Sequence, residues 1–283
     1  MKIRQLTIMA AILLVAVTDA WAQVGLKLKA ERDKYLKYEP IQMSLLVRNY
    51  SGNTLLFGEV GDTQGRLLFD IVSRSGKPVR SLSPKANPIA GMVFAPGESK
   101  VLSITLNSLY DLQNDDYYTI TAYVEHKRMA KGFKSNTINF EVRDGIIITK
   151  RTIGLPTEAD NQLIKNVTAS LIRFNEGNHS EIYCLRIEDE SAVYGTFRLG
   201  PYIIGGQPQL DADGTSAIHV LVQVSSRLYS YAVYSLIKGR AVQRMQRYYI
   251  PDNGTPQISR STGYLKILYA RPAVEGVDYQ VQK

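Results

Sequence analysis

The chain has 283 residues, 34 Lys and Arg against 26 Asp and Glu, a formal net charge of +8, one Cys and one Trp. A lone cysteine excludes an internal disulfide, so ordinary hydrophobic cores must hold the fold, and the length suits two domains. The positive excess suits anionic surfaces such as acidic glycans, while the absence of a recognisable nucleic-acid module argues against nucleic acid as a partner.

The opening stretch MKIRQLTIMAAILLVAVTDAWAQ has the form of a secretory signal over residues 1–22. Lys2 and Arg4 supply a positive start, Leu6 to Val17 is an apolar run too short to span a bilayer comfortably, and Ala20-Trp21-Ala22 fits a small-x-small cleavage pattern. Cleavage would remove two cations and Asp19, taking the charge from +8 to +7 (8 − 2 + 1). It would also remove the only tryptophan, leaving tyrosine for any aromatic stacking. No cysteine adjoins the site to carry a lipid, and no later stretch reaches transmembrane length. The expected location is a bacterial periplasm or cell surface.

Over residues 23–144 apolar residues alternate in short runs: GLKLKA, IQMSLLVRN, TLLFGEV, RLLFDIV, VLSITL, YYTITAYVEH and NTINFEVRD. Turn-prone segments such as NYSGN, SRSGKP and APGES separate them. This pattern predicts an antiparallel β-sandwich. The stretches KYLKYEPIQMSLLVRNYSG, FAPGESKVLSITL, LYDLQNDDYYTITAYVEH and KSNTINFEVRDG resemble the immunoglobulin-like modules of exported bacterial proteins. In those modules Tyr and Glu precede a strand ending in Asn, a Pro-Gly-Glu turn precedes a middle strand, and a late strand begins Gly-x-Tyr. Here Asp116-Tyr117-Tyr118 stands at the last place, without the glycine. The resemblance covers the first half only and implies a fold, not a function.

Residues 145–179 read as a linker carrying a helix over residues 158–174. Leu163, Ile164, Val167, Leu171, Ile172 and Phe174 fall near helical spacing, and Thr157 with Asp160 gives a capping signal. Two strands are the alternative.

Residues 180–283 return to strands and contain a repeat. EIYCLRIEDESAVYGTFRLG aligns with AIHVLVQVSSRLYSYAVYSLIKG, pairing Ile182 with Ile218 and Leu185 with Leu221. QPQLDADGTSAIHVLV aligns with TPQISRSTGYLKILYA, pairing Ile218 with Leu265. The spacings, 36 (218 − 182) and 47 (265 − 218), fall in the range of propeller blades, which the segments weakly resemble. Too few copies are visible to close a ring, so an antiparallel meander or open array is expected, with a free sheet edge that could support an oligomer. The fold class is mainly all-β: a sandwich, one helix and a blade-like repeated domain.

Asp211-Ala212-Asp213-Gly214 spaces two carboxylates as calcium loops do, but its copy reads SRSTG and the chain runs directly into a strand, so a turn is the preferred reading and a metal site at Asp211 and Asp213 the lesser one. His126, His179 and His219 are scattered without ligand spacing. Cys184 aligns with Val220 and reads as core. Glu188-Asp189-Glu190 reads as a solvated turn. No Gly-x-Ser-x-Gly or P-loop is present, and GPYIIGG lacks a following helix. No cofactor is expected.

Tyr229, Tyr231, Tyr234 and Tyr248, interleaved with Arg227 and Arg247, crowd two neighbouring strands. Cross-strand aromatic pairing accounts for such a cluster, but a Tyr and Arg face is also the chemistry of a binding surface. The expectation is a non-enzymatic binding or scaffolding protein contacting an envelope protein or an anionic glycan. A polysaccharide hydrolase or its accessory, and a protease-inhibitor-like module, are the alternatives.

Overall fold

The computed structural model describes residues 24–77, 79–129, 131–156, 164–178, 180–261 and 264–280. The expected signal segment and the capping pair Thr157 and Asp160 lie outside the described residues. No described helix is long and apolar enough to cross a membrane. The fold is all-β, built from several antiparallel sheets, with single 3-10 turns at Gly61–Thr63 and Leu106–Ser108. Two compact units share the chain: the first takes the stretch up to Asp33, Ile41–Asp111 and Tyr117–Phe140, the second Lys34–Pro40, Leu112–Asp116 and everything from Glu141.

The strands up to residue 143 are β1 (Val24–Ala30), β2 (Lys34–Leu36), β3 (Gln42–Asn49), β4 (Leu55–Leu56), β5 (Gly65–Ser73), β6 (Val93–Phe94), β7 (Ser99–Thr105), β8 (Asp116–His126) and β9 (Phe133–Arg143). In the first unit one sheet runs β1-β3-β7, another places β8 between β5 and β9, and β4 pairs with β6. Strict alternation does the work in β8, where Tyr118, Ile120, Ala122 and Val124 are all buried between exposed or half-buried neighbours. Two motifs of the sequence find physical reasons. Asn49, 1 % exposed, donates to the carbonyls of Asn53, Phe94 and Ala95 and accepts from Ser51, so the strand's last residue ties it to β6. Gly97 has a φ of 77°, which a side chain resists, and Glu98 accepts the Ala95 N–H to close that turn at 2.7 Å.

The second unit contains β2 and eleven further strands. They are β10 (Ile146–Pro156), β11 (Ile164–Gly177), β12 (Ser180–Glu188), β13 (Val193–Pro201), β14 (Gln209–Ala212), β15 (Ile218–Gln223), β16 (Tyr229–Ile237), β17 (Arg240–Pro251), β18 (Gln257–Ser261), β19 (Tyr264–Leu268) and β20 (Ala270–Pro272). Two antiparallel meanders follow one another, β10-β11-β12-β13 and then β14-β15-β16-β17, the latter extended by β20; β18 and β19 form a hairpin. Their apolar faces stack. Leu36 packs with Ile172, Phe174, Ile182 and Cys184 on one face of the first meander. The other face, with Val167, Leu171, Tyr183 and Leu185, packs with Ile218, Val220, Ala232 and Tyr234 of the second. The far face of the second, with Leu221, Tyr229, Tyr231 and Val233, is covered by Ile258 and Ile267 of the hairpin.

The repeat alignment is thus also a spatial one. Ile182 lies in the first of these layers and its match Ile218 in the second; Leu185 lies in the second and Leu221 in the third. The matched residues of this first alignment lie one layer apart, whereas Leu265, matched to Ile218 in the second, is in none of the three layers.

The helix expected over residues 158–174 is overturned from residue 164 onward, where the chain is β11, pairing with β10 on one side and β12 on the other. Val167, Ala169 and Leu171 face one layer and Ile172 and Phe174 the other. Burial on both faces removes the polar alternation, and the apolar residues that remain mimic helical spacing.

Candidate functional site

A cleft of about 390 Å³ opens in the second unit beside β17 and β20, lined by Gln246, Arg247, Tyr248, Pro272, Ala273 and Tyr279. Its wall is made by the chain folding back after β20. Arg271 donates from both terminal nitrogens to Asp278, at 2.7 and 2.8 Å, and Asp278 also accepts the Val274 N–H at 2.9 Å. Gly276, with a φ of 83°, permits the tight return. The Arg271 guanidinium, aided by that N–H, lowers the Asp278 pKa to about 2. The Ala273 N–H, bonded to the Tyr248 carbonyl at 2.9 Å, docks the segment on β17. Tyr279 is thereby held against Tyr248, ring centres 4.7 Å apart and tilted by 46°. Gln246 donates to the Tyr248 hydroxyl and to Ser230, both at 3.1 Å. The lining offers two half-buried phenol rings, a proline face and an exposed amide, and no carboxylate, imidazole or thiol. Such a surface can stack on a flat apolar face and bond its polar rim; it carries no acid–base pair.

Of the residues singled out in the sequence, Tyr248 is at the centre of this cleft. Arg247 borders it, but the pleat turns its side chain to the opposite face, where it stands across from Tyr231. Arg227 is exposed and close enough to Asp278 to help depress its pKa. Tyr229, Tyr231 and Tyr234 are only 8 %, 5 % and 1 % exposed. They are core: the first two lie beneath the β18–β19 hairpin and the third between the meanders. A single Tyr and Arg face is therefore not formed, because strand alternation and burial on both sheet faces divide the set. Tyr279, Pro272 and Gln246 carried no sequence signal as a site; the eight-residue Arg271 to Asp278 return across Gly276 is the feature that could have pointed to them.

The two aspartates of the polar turn are taken up by the protein itself. Asp211 accepts from Arg151 at 3.0 Å and Arg260 at 2.9 Å. Asp213 accepts from the Thr215 N–H and hydroxyl, the Ala217 N–H and His219 Nε2, at 2.7–3.0 Å. Burial pushes Asp213 up, but these hydrogen bonds outweigh it and its pKa is lowered. Among the described residues no group of three or more His, Cys, Asp or Glu is gathered to hold a metal. His219 Nε2 donates to Asp213, and its Nδ1 is hydrogen-bonded to the Tyr231 hydroxyl at 2.5 Å. Burial, with Tyr249 and Asp213 nearby, pushes the Tyr231 phenol up to about 12. The chain Asp213–His219–Tyr231, buried at His219 and Tyr231 and half-buried at Asp213, pins the β14–β15 turn to β16.

His126 is bonded to the Leu56 carbonyl at 3.0 Å and to the Arg128 N–H at 3.1 Å. His179 lies outside the described residues. Cys184 is fully buried. Asp189 closes the β12–β13 turn, accepting from Ser191, Ala192, Lys165 and Tyr194, with Lys165 and Tyr194 the main causes of a strongly lowered pKa. The loop between β5 and β6 is strapped down: Ile89 is fully buried, and Asn87 bonds both the Leu67 N–H and the Gly65 carbonyl.

No protein-family model, no curated protein and no solved structure matches this chain.

Proposed function

We propose that this is an exported, non-enzymatic binding protein of the bacterial envelope. On this reading an immunoglobulin-like first unit serves as spacer, and the stacked sheets of the second hold a glycan chain in the Tyr248–Tyr279 cleft. The observation that carries the reading is the ring pair itself: two half-buried tyrosines, 4.7 Å apart, line an open cleft with Pro272 and an exposed amide. Sugar rings present apolar C–H faces with hydroxyl rims, and phenol plus amide is complementary to both. The hydrolase alternative gains no comparable support, since Asp189, Asp211, Asp213 and Asp278 are each engaged in a turn or ion pair. The inhibitor alternative would draw support from a free projecting loop, and the β5–β6 loop is tied down.

The test is an array of defined oligosaccharides, neutral and uronate-containing, probed with the chain from residue 23 and with Tyr279→Ala. Binding to a restricted set of glycans, weakened about tenfold or more by the substitution (about 1.4 kcal/mol), is expected. Equal binding by both proteins would place the contact elsewhere.

A further inference from the structure

The geometry points to a second binding site, in the first unit, for a linear glycan bearing carboxylate or phosphate groups. Two clefts, of about 450 and 400 Å³, lie on the two sides of the β5 start and share Gln64, Gly65 and Arg66. Lys127 and Lys131 line the first and Lys85 the second. All four cations are exposed, and none forms an ion pair among the described residues. Glu125 and Glu59 are the only acids in the two linings, which leaves a surplus of +2 (4 − 2) across the two adjoining clefts, called the trough below. Cations elsewhere are often spoken for: Arg143, Arg186, Arg198, Arg260 and Arg271 are all paired with carboxylates.

The floor of the trough is built, which separates it from a scatter of surface lysines. His126 bonds the Leu56 carbonyl and the Arg128 N–H, fixing the turn that carries Lys127. The Lys127 N–H is bonded to the Gln64 carbonyl at 2.9 Å, which joins that turn to the β5 start. Gly65 is required for this closeness, because a Cβ there would meet the Phe57 ring at 2.5 Å and His126 at 2.8 Å. Asn87, bonded to the strand on either side of Arg66, anchors the loop bearing Lys85. Long cationic side chains around an open, fixed trough suit a chain of spaced anions more than one small ion. Charge complementarity selects an acidic glycan over a neutral one.

The experiment measures binding of polygalacturonate, with neutral dextran as control, at about 50 and 300 mM NaCl, where screening differs strongly. The proteins are the chain from residue 23, the triple variant Arg66→Glu, Lys127→Glu, Lys131→Glu, and an equal charge change made away from the trough (Lys27→Glu, Lys29→Glu, Lys77→Glu). Circular dichroism verifies folding, and Arg66→Gln, Lys127→Gln replaces the triple variant if that fails. The expected result is salt-sensitive binding of polygalacturonate alone, weakened at least tenfold in the trough variant and less than threefold in the control, with Tyr279→Ala unaffected. No binding by the parent chain, or equal loss in both charge variants, would overturn the site.

Discussion

Side-chain amides act as pieces of backbone in this molecule. Asn136 bonds both the N–H and the carbonyl of Leu28 in β1, Asn87 does the same across Leu67 and Gly65 in β5, and Gln209 spans Ile258 and Pro256 beside β18. Each satisfies strand groups that would otherwise lie open to a stray partner. Asn49 is the buried extreme, and Asn49→Ala orphans the Phe94 and Ala95 carbonyls. A loss of about 1–3 kcal/mol is expected, read by urea unfolding, and a change within error would show that water replaces the amide. Asp278 gives the pH dependence. Its folded pKa of about 2 lies below the ordinary value of about 3.9, so the unfolded chain binds more protons in that window. The Arg271 pairing should therefore stabilise above pH 4 and fade as pH falls toward 2. Wild type should melt higher than Asp278→Asn at pH 5, with the gap closing by pH 2; a constant gap would deny the linkage. The sequence announced Asn49 through its place at a strand end, and Asp213 through its turn chemistry. It could not disclose the Asn87, Asn136 and Gln209 bonds, which span 20 to 108 residues of chain.

At the scale of elements, β11 carries the clearest lesson. Its residues alternate between two apolar layers, so Leu171 and its neighbour Ile172 are both essentially unexposed, facing opposite ways. A helix could not bury adjacent positions into separate layers in this manner. Leu171→Ala should cost about 2–5 kcal/mol, while Arg173→Ala, half-exposed on the same strand, should cost far less. Comparable costs would argue against the layered burial. Single-face strands such as β8 were legible because alternation survives there; β11 was misread because two-faced burial erases it, while β15, equally buried on both faces, was still legible from its short apolar run after a turn. The same effect hid the fate of Tyr229, Tyr231 and Tyr234. Tyrosine density marked the right pair of strands, but nothing local says that a hairpin from residues 257–268 will cover one face.

For the molecule as a whole, the second unit stacks its sheets layer by layer and ends with a mixed outer surface. Ile258 and Ile267 of the hairpin face inward, while Gln257, Ser259 and Lys266 take the alternate positions together with Leu268 and the exposed Tyr264. Cys184 reports on the first layer of this stack: being fully buried beside Leu36 and Phe174, it should react with a thiol reagent only as the unit opens. Rapid labelling in native buffer would contradict that packing. The layer spacing of Ile182 and Ile218, and of Leu185 and Leu221, follows the first sequence alignment; the cleft had no such signal, because it arises where the chain folds back after β20. On the proposed reading the conspicuous polar turns are architecture, and the second unit's recognition lies at the Tyr248–Tyr279 pair. Titration calorimetry of the best glycan from the array tests it most directly, comparing Tyr279→Ala with Asp211→Asn. The expected result is about tenfold or greater weakening for Tyr279→Ala and unchanged affinity for Asp211→Asn; the reverse pattern, or binding that requires calcium, would overturn the proposal.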